Sequence, residues 1–282
     1  MLTKLSNSWE LVKASARVLQ ADKELLIFPL ISGLAFLVVS ASFFLPLLAT
    51  GANLETVASG DAGPLGYVLL FLFYVAQYFV VIFFNSALVG AAMIRLQGGD
   101  PTVGDGLRIA TQRLGSIFGY AVITATVGLV LRTLSERAGF LGRLVIGLVG
   151  LGWSLATFLV VPVLVTRDVS PVDAIKESAA VLKRTWGEQV VGNVGLGLTF
   201  VLLFTGLAIL SIPVMILAVS TGQAVVIVTA AVVLALTFVL LMLVSAALSG
   251  IYSAALYRFA TTGQAGWGFE SRMLASAFVA KG

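Results

Sequence analysis

Hydrophobic residues in this chain fall into long continuous runs, at about residues 25–48, 65–94, 116–131, 144–165, 190–219 and 224–257, separated by shorter polar stretches. A helix needs about 20 apolar residues to cross a bilayer, and all of these runs but the shorter third reach that length. Continuous rather than alternating apolarity fits helices and not the strands of a closed barrel. The pattern predicts an all-α, polytopic membrane protein with six transmembrane helices, forming a single integral membrane domain over 1–282.

Details within the runs shape this reading. Pro29 and Pro46 lie near the two ends of the first run, where a missing N–H costs least. The second run is too long for a perpendicular crossing and is expected to tilt. Its aromatic cluster, from Phe71 to Phe84, reads as lipid-facing bulk and helix packing before an aromatic-lined cavity. Gly115 and Gly119, four residues apart, open the third run and permit close helix approach. The turn 220–223 admits only an antiparallel hairpin between the fifth and sixth runs.

Three of the polar stretches have helical character of their own. In 170–186, Ser170 suits an N-cap, Pro171 the first helical position and Asp173 the third, an S-x-x-D capping box. The same offsets recur at Thr102 and Asp105 and at Asn7 and Glu10. Beyond each acid come an aliphatic residue (Val12, Leu107, Ile175), a base (Lys13, Arg108, Lys176), a small residue (Ser15, Ala110, Ser178) and a leucine (Leu19, Leu114, Leu182), at matching spacings. This predicts three cytoplasmic amphipathic surface helices in a threefold internal repeat of surface helix plus hairpin, with units at about 7–95, 102–165 and 170–257 and a cytoplasmic tail at 258–282. In the third copy Ile175, Ala179, Leu182 and Trp186 share a face. The plain role of such helices is to cover the ends of the bundle. Lys13, Arg17, Arg108, Arg113, Lys176, Lys183, Arg184 and Trp186 are also candidate contacts to anionic lipid or a cytoplasmic protein partner.

Composition and charge add orientation. The chain is 59% hydrophobic and 11% charged, against about 25% charged in ordinary soluble domains. Of its seventeen Lys and Arg residues, only Arg132, Arg137 and Arg143 fall on one side of a six-span arrangement. The positive-inside rule then puts both termini in the cytoplasm, and the loop 49–64, without Lys or Arg, outside. The three arginines at 132–143 leave open a re-entrant pair in place of the third and fourth crossings. Residues 1–24 lack a cleavable signal pattern, so the run from Leu25 is expected to be a retained span. The net charge of +4 is dispersed beside apolar segments, which argues for membrane topology and against nucleic acid.

The chain has no Cys and no His, which removes thiol nucleophiles, imidazole bases and the common zinc ligands. None of the predicted spans carries a central ionisable group, so intramembrane catalysis and proton-coupled transport lose their usual residues. Asp100 and Asp105 lie in a polar connector and not on facing spans as an aspartyl membrane protease requires. Gly192, Gly195 and Gly197 lack the Lys and Ser/Thr of a phosphate loop. No cofactor or metal is expected. Gln77, Asn85, Thr124, Asn193, Ser245 and Ser249 are the polar candidates for helix packing or pore lining.

The unit Asp173-Ala174-Ile175-Lys176-Glu177-Ser178, with the opening Trp9-Glu10-Leu11-Val12-Lys13 and Glu24-Leu25-Leu26-Ile27-Phe28-Pro29, resembles a loose group of prokaryotic six-helix membrane proteins of unknown function. That group is similar to the membrane domain attached to some glycerophosphodiester phosphodiesterases. The resemblance implies a prokaryotic cytoplasmic (inner) membrane. It carries over no catalytic residues, and no counterpart of the phosphodiesterase domain is present in 1–282. The functional expectation is a non-catalytic scaffold or accessory protein, self-associating as a homo-oligomer and meeting membrane lipids or a partner on its cytoplasmic side. The alternative is a passive channel or transporter for lipid or another small apolar solute.

Overall fold

A computed structural model describes residues 2–49, 63–186, 195–272 and 274. Among these residues the secondary structure is helical throughout, without strands. In chain order the helices are α1 (Leu2–Ala21), a 3-10 turn (Lys23–Leu26), α2 (Ile27–Ala49), α3 (Gly63–Leu96), α4 (Val103–Gln112) and α5 (Leu114–Arg137). They continue with α6 (Phe140–Ala156), α7 (Val160–Thr166), α8 (Pro171–Trp186), α9 (Gly195–Ser220) and α10 (Ala224–Thr262). Six segments have the length and apolarity of membrane spans: α2, α3, α5, α6 with α7, α9 and α10.

Helix α3 is the centre, contacting α2, α4, α5, α7 and α10. Its 34 residues are about 51 Å long at 1.5 Å per residue, so it outruns a hydrocarbon core of about 30 Å. The buried core gathers at one end of the bundle, around Ala87, Leu88, Val89, Leu159, Leu164, Ile251 and Leu256. Small residues allow this closeness. A Cβ on Gly250 of α10 would stand 2.5 Å from Leu88 Cδ2. One on Gly106 of α4 would stand 2.6 Å from the Ala87 carbonyl oxygen, so α4 lies on α3 with backbone nearly touching backbone.

The three short polar helices line this same end. Helix α4 packs on α3, α8 on α5, α6 and α7, and α1 on α9 and α10. Thr102 and Asp105 form a full capping box that starts α4, and Ser170 Oγ accepts from Asp173 N at 3.2 Å at the start of α8. The small residues Ser15, Ala110 and Ser178 are completely buried, each turned into the bundle. In α8 the deepest side chains are Ala174, Ser178, Val181 and Leu182; Ile175 and Ala179 are half-buried, so the inner face is rotated from the one the apolar spacing indicates. The Trp186 side chain and Asn193 lie outside the described residues, as do most of the loop 49–64 and the beginning of the fifth run.

Three boundaries differ from the sequence reading. The third span is not short: α5 continues to Arg137, because Arg132 pairs with Glu136 at 2.7 Å and donates to Tyr74 Oη at 2.6 Å, so the charge is carried within the helix. Only Ala138 and Gly139 then join α5 to α6, and at 24 residues α5 has the length of a full crossing. The fourth span is interrupted at 157–159, where Phe158 N and Val160 N bond three residues back, to Leu155 O and Thr157 O. Pro162 sits in the first turn of the resumed helix α7, where its lack of an N–H is harmless. The Leu159 N–H freed by the break donates to Ser178 Oγ of α8 at 3.0 Å. Finally, the start of the tail does not lie loose on the surface. Gly263, at φ +71°, closes α10, Trp267 N donates to Leu96 O at 3.0 Å, and Phe269 and Leu274 are buried.

Candidate functional site

Arginines mark the points where α3, α7 and α10 leave the core, and they do different things. Arg95, at the end of α3, pairs with Asp22 at 2.7 Å, donates to the carbonyls of Gly99 and Ala21, and stacks 5.1 Å from the Trp267 ring. It clamps the α1–α2 junction, the end of α3 and the tail together. Burial holds the Asp22 carboxyl above the ordinary aspartate range while Arg95 pulls it the other way. Arg167, just after α7, pairs with Glu177 of α8 at 3.1 Å, and Glu177 also accepts from Tyr257 Oη at 3.4 Å. Arg258, one turn before the end of α10, has its Nε buried with no acceptor among the described residues.

Between these helix ends opens a cleft of about 590 Å³, walled by Met93, Gln97, Thr166, Arg167, Tyr257, Arg258, Thr261 and Thr262. A second cavity of about 350 Å³ lies deeper among the spans, lined by Ser32 of α2, Asn85 and Leu88 of α3, Phe158 from the break, and Ser249, Gly250 and Ser253 of α10. Ser249, Ser253 and Tyr257 are spaced four residues apart, so one face of α10 runs past both openings.

The polar residues singled out in the spans therefore separate. Asn85 and Ser249 meet at the deeper cavity. Gln77 instead joins α3 to α2, its Nε2 donating to Ser40 Oγ at 2.7 Å and Phe36 O at 3.3 Å. Thr124 and Ser245 are half-buried in α5 and α10 and line neither opening.

The basic candidates on the surface helices also divide. Lys13, Arg17, Lys183 and Arg184 are exposed, with Lys13 Nζ 5.9 Å from the Trp9 ring and Arg184 reaching Ala260 O at 3.4 Å. Arg108 and Lys176 are exposed too but bridge back to Asp105 and Asp173 on their own helices. Hydrogen bonds from Thr102 and Ser170 hold those two carboxyls below the ordinary range. Arg113 turns aside to pair with Asp168, tying the α4–α5 corner to the link before α8.

Sequence reasoning passed over Arg167, Arg258 and Tyr257. The available signal was the recurrence of Arg95, Arg167 and Arg258 where the second helix of each hairpin emerges, which charge counting treated as loop residues. Among the described residues no cluster of three acids has the arrangement of a metal site.

The six apolar helices and the absence of strands among the described residues define a multi-pass helical membrane protein. Residues 64–269 match a family of unknown function (DUF6159), and the chain belongs to it. No curated protein and no solved structure matches the chain.

Proposed function

We propose that this protein is a non-catalytic scaffold of a prokaryotic cytoplasmic membrane, self-associating in the bilayer and meeting lipid or a protein partner with its cytoplasmic face. The observation that carries this reading is how the three short helices are shared: α4 rests on the first hairpin, α8 on the second and α1 on the third, so each hairpin is covered by a helix outside its own hairpin. That cyclic exchange supports a threefold internal repeat of amphipathic helix and hairpin, with one built face presenting Lys13, Arg17, Lys183 and Arg184. Those cations near anionic lipid would contribute about 1 kcal/mol each. The positive-inside count supports placing this face, and both termini, in the cytoplasm.

Mass photometry in mild detergent tests the self-association, for which particles larger than one chain are expected. A strictly monomeric particle would remove it. The absence of native cysteine makes orientation testable as well: an impermeant thiol reagent on intact cells should label a cysteine placed at Glu55 and spare one at Asp173. The reverse pattern would invert the topology.

The deeper cavity with Asn85 and Ser249 favours a second reading, passage of lipid or a small apolar solute. Solute flux into proteoliposomes no faster than into empty vesicles would sink it.

A further inference from the structure

We infer that the cleft between the ends of α3, α7 and α10 binds a phosphate group, with Arg258 as its principal ligand. The inference goes beyond the scaffold reading and does not depend on it, since a single chain contains the whole cleft.

The chemistry of the walls selects the ligand. Three helices end here, and unsatisfied helix-end carbonyls would ordinarily present negative partial charge. Around this cleft several helix-end carbonyls are engaged, those of the wall residues Met93, Tyr257 and Arg258 among them. Met93 O and Ile94 O accept from Gln97 N, and Val163 O accepts from Arg167 N. Pro162 O accepts from Thr166 Oγ1, and Tyr257 O and Arg258 O accept from the hydroxyls of Thr261 and Thr262. Gly263 N closes Phe259 O.

Among the described wall side chains, the buried polar atom without a partner is a donor. Arg258 is half-buried, lines a space of about 590 Å³ and pairs with no acid among the described residues; its Nε is buried without an acceptor. Glu177, the acid bonded at the rim, is taken up by Arg167 and Tyr257 and does not reach Arg258. A partly buried arginine without an acid beside it favours an anion, and a tetrahedral oxyanion is the partner whose geometry its planar fork fits. Basic pockets between helices at a membrane surface hold lipid phosphate groups for this reason. The site's depth, at the point where spans leave the core, suits a phospholipid headgroup or a soluble phosphate equally.

The test uses the full chain in neutral detergent and phosphate-free buffer. One arm adds phosphatidylglycerol, with phosphatidylcholine as reference, and counts retained lipid by native mass spectrometry. The other titrates inorganic phosphate and follows thermal stability. Wild-type protein should retain phosphatidylglycerol over phosphatidylcholine, or be stabilised by phosphate. Arg258→Gln should weaken that binding by at least about tenfold, the lower bound for losing a charge-assisted hydrogen bond. Arg108→Gln, outside the cleft, should leave it unchanged.

Because Arg258 is half-buried, Gln97→Glu provides a second variant. Gln97 is exposed beyond the end of α3, so the fold should tolerate a carboxylate there while the anion should not. Binding in the first arm alone identifies a lipid headgroup, and in the second a free phosphate. Retention of neither ligand, or retention unaffected by both Arg258→Gln and Gln97→Glu, overturns the proposal.

Discussion

The two halves of α10 meet entirely different surroundings, and the more hydrophobic half is the exposed one. Residues 247–257 are nearly all buried against α3, α7 and α1, whereas most of 224–246 is exposed, with Val225 at 78% and Leu236 at 63%. The buried half reads ALSGIYSAALY and the exposed half is dominated by Val, Leu, Ile and Phe. In lipid, apolarity does not draw helices together, because the acyl chains are as apolar as leucine; close backbone approach and polar contacts do. Burial here follows small and polar residues, and the greater hydropathy marks the lipid face. The core therefore sits at the end where small residues, the surface helices and the ion pairs coincide.

That contrast can be broken most forcefully at the ion pair. Arg95→Met strands a buried Asp22 and should cost about 3 kcal/mol in a thermal or denaturant unfolding measurement at neutral pH. The sign of the pH dependence follows from Asp22: its carboxyl is held above the ordinary range, and losing Arg95 raises it further, so protonation relieves the variant. The loss should shrink as pH falls through that raised range.

A paired truncation comes next. Leu256→Ala, at a completely buried position, should cost about 2–5 kcal/mol, while Leu236→Ala on the lipid face should cost under about 0.5 kcal/mol. Equal losses at the two sites would erase the distinction.

Glycines sharpen it further. Gly106→Ala drives a methyl toward the Ala87 carbonyl and should cost about 1–3 kcal/mol, whereas the Cβ at Gly206 of α9 meets nothing within 4 Å and its alanine variant should be neutral or slightly stabilising.

The smallest effect is at the exposed caps. Asp105 and Asp173 are held below the ordinary range, so their support for α4 and α8 is present above the unfolded-chain aspartate pKa and disappears as pH falls through their lowered values. Hydrogen-exchange protection in the first turns of α4 and α8, relative to the intrinsic exchange rate at each pH, should fall on that acidification, with no change in 224–246.

Much of this architecture was legible from local pattern. The apolar runs located all six spans, the turn 220–223 gave the α9–α10 hairpin, and Thr102–Asp105 and Ser170–Asp173 marked two helix starts that the structure contains. Where local pattern misled, a distant partner was responsible. Arg132 looked like the end of a span, yet Tyr74 of α3 accepts from it, beside Glu136 one turn on in its own helix. The break at 157–159 was hidden because its freed N–H is met by Ser178, nineteen residues away.

Helix class, span count and capping belong to the sequence alone, since each depends on hydropathy or on hydrogen bonds within a few residues. Tertiary structure alone decided which polar groups remain without partners. Arg95, Arg167 and Arg258 occupy similar positions in the chain, yet Asp22 and Glu177 neutralise the first two and leave the third facing the cleft. An arginine's availability depends on which acids the fold brings within a few ångströms, and no local spacing encodes that.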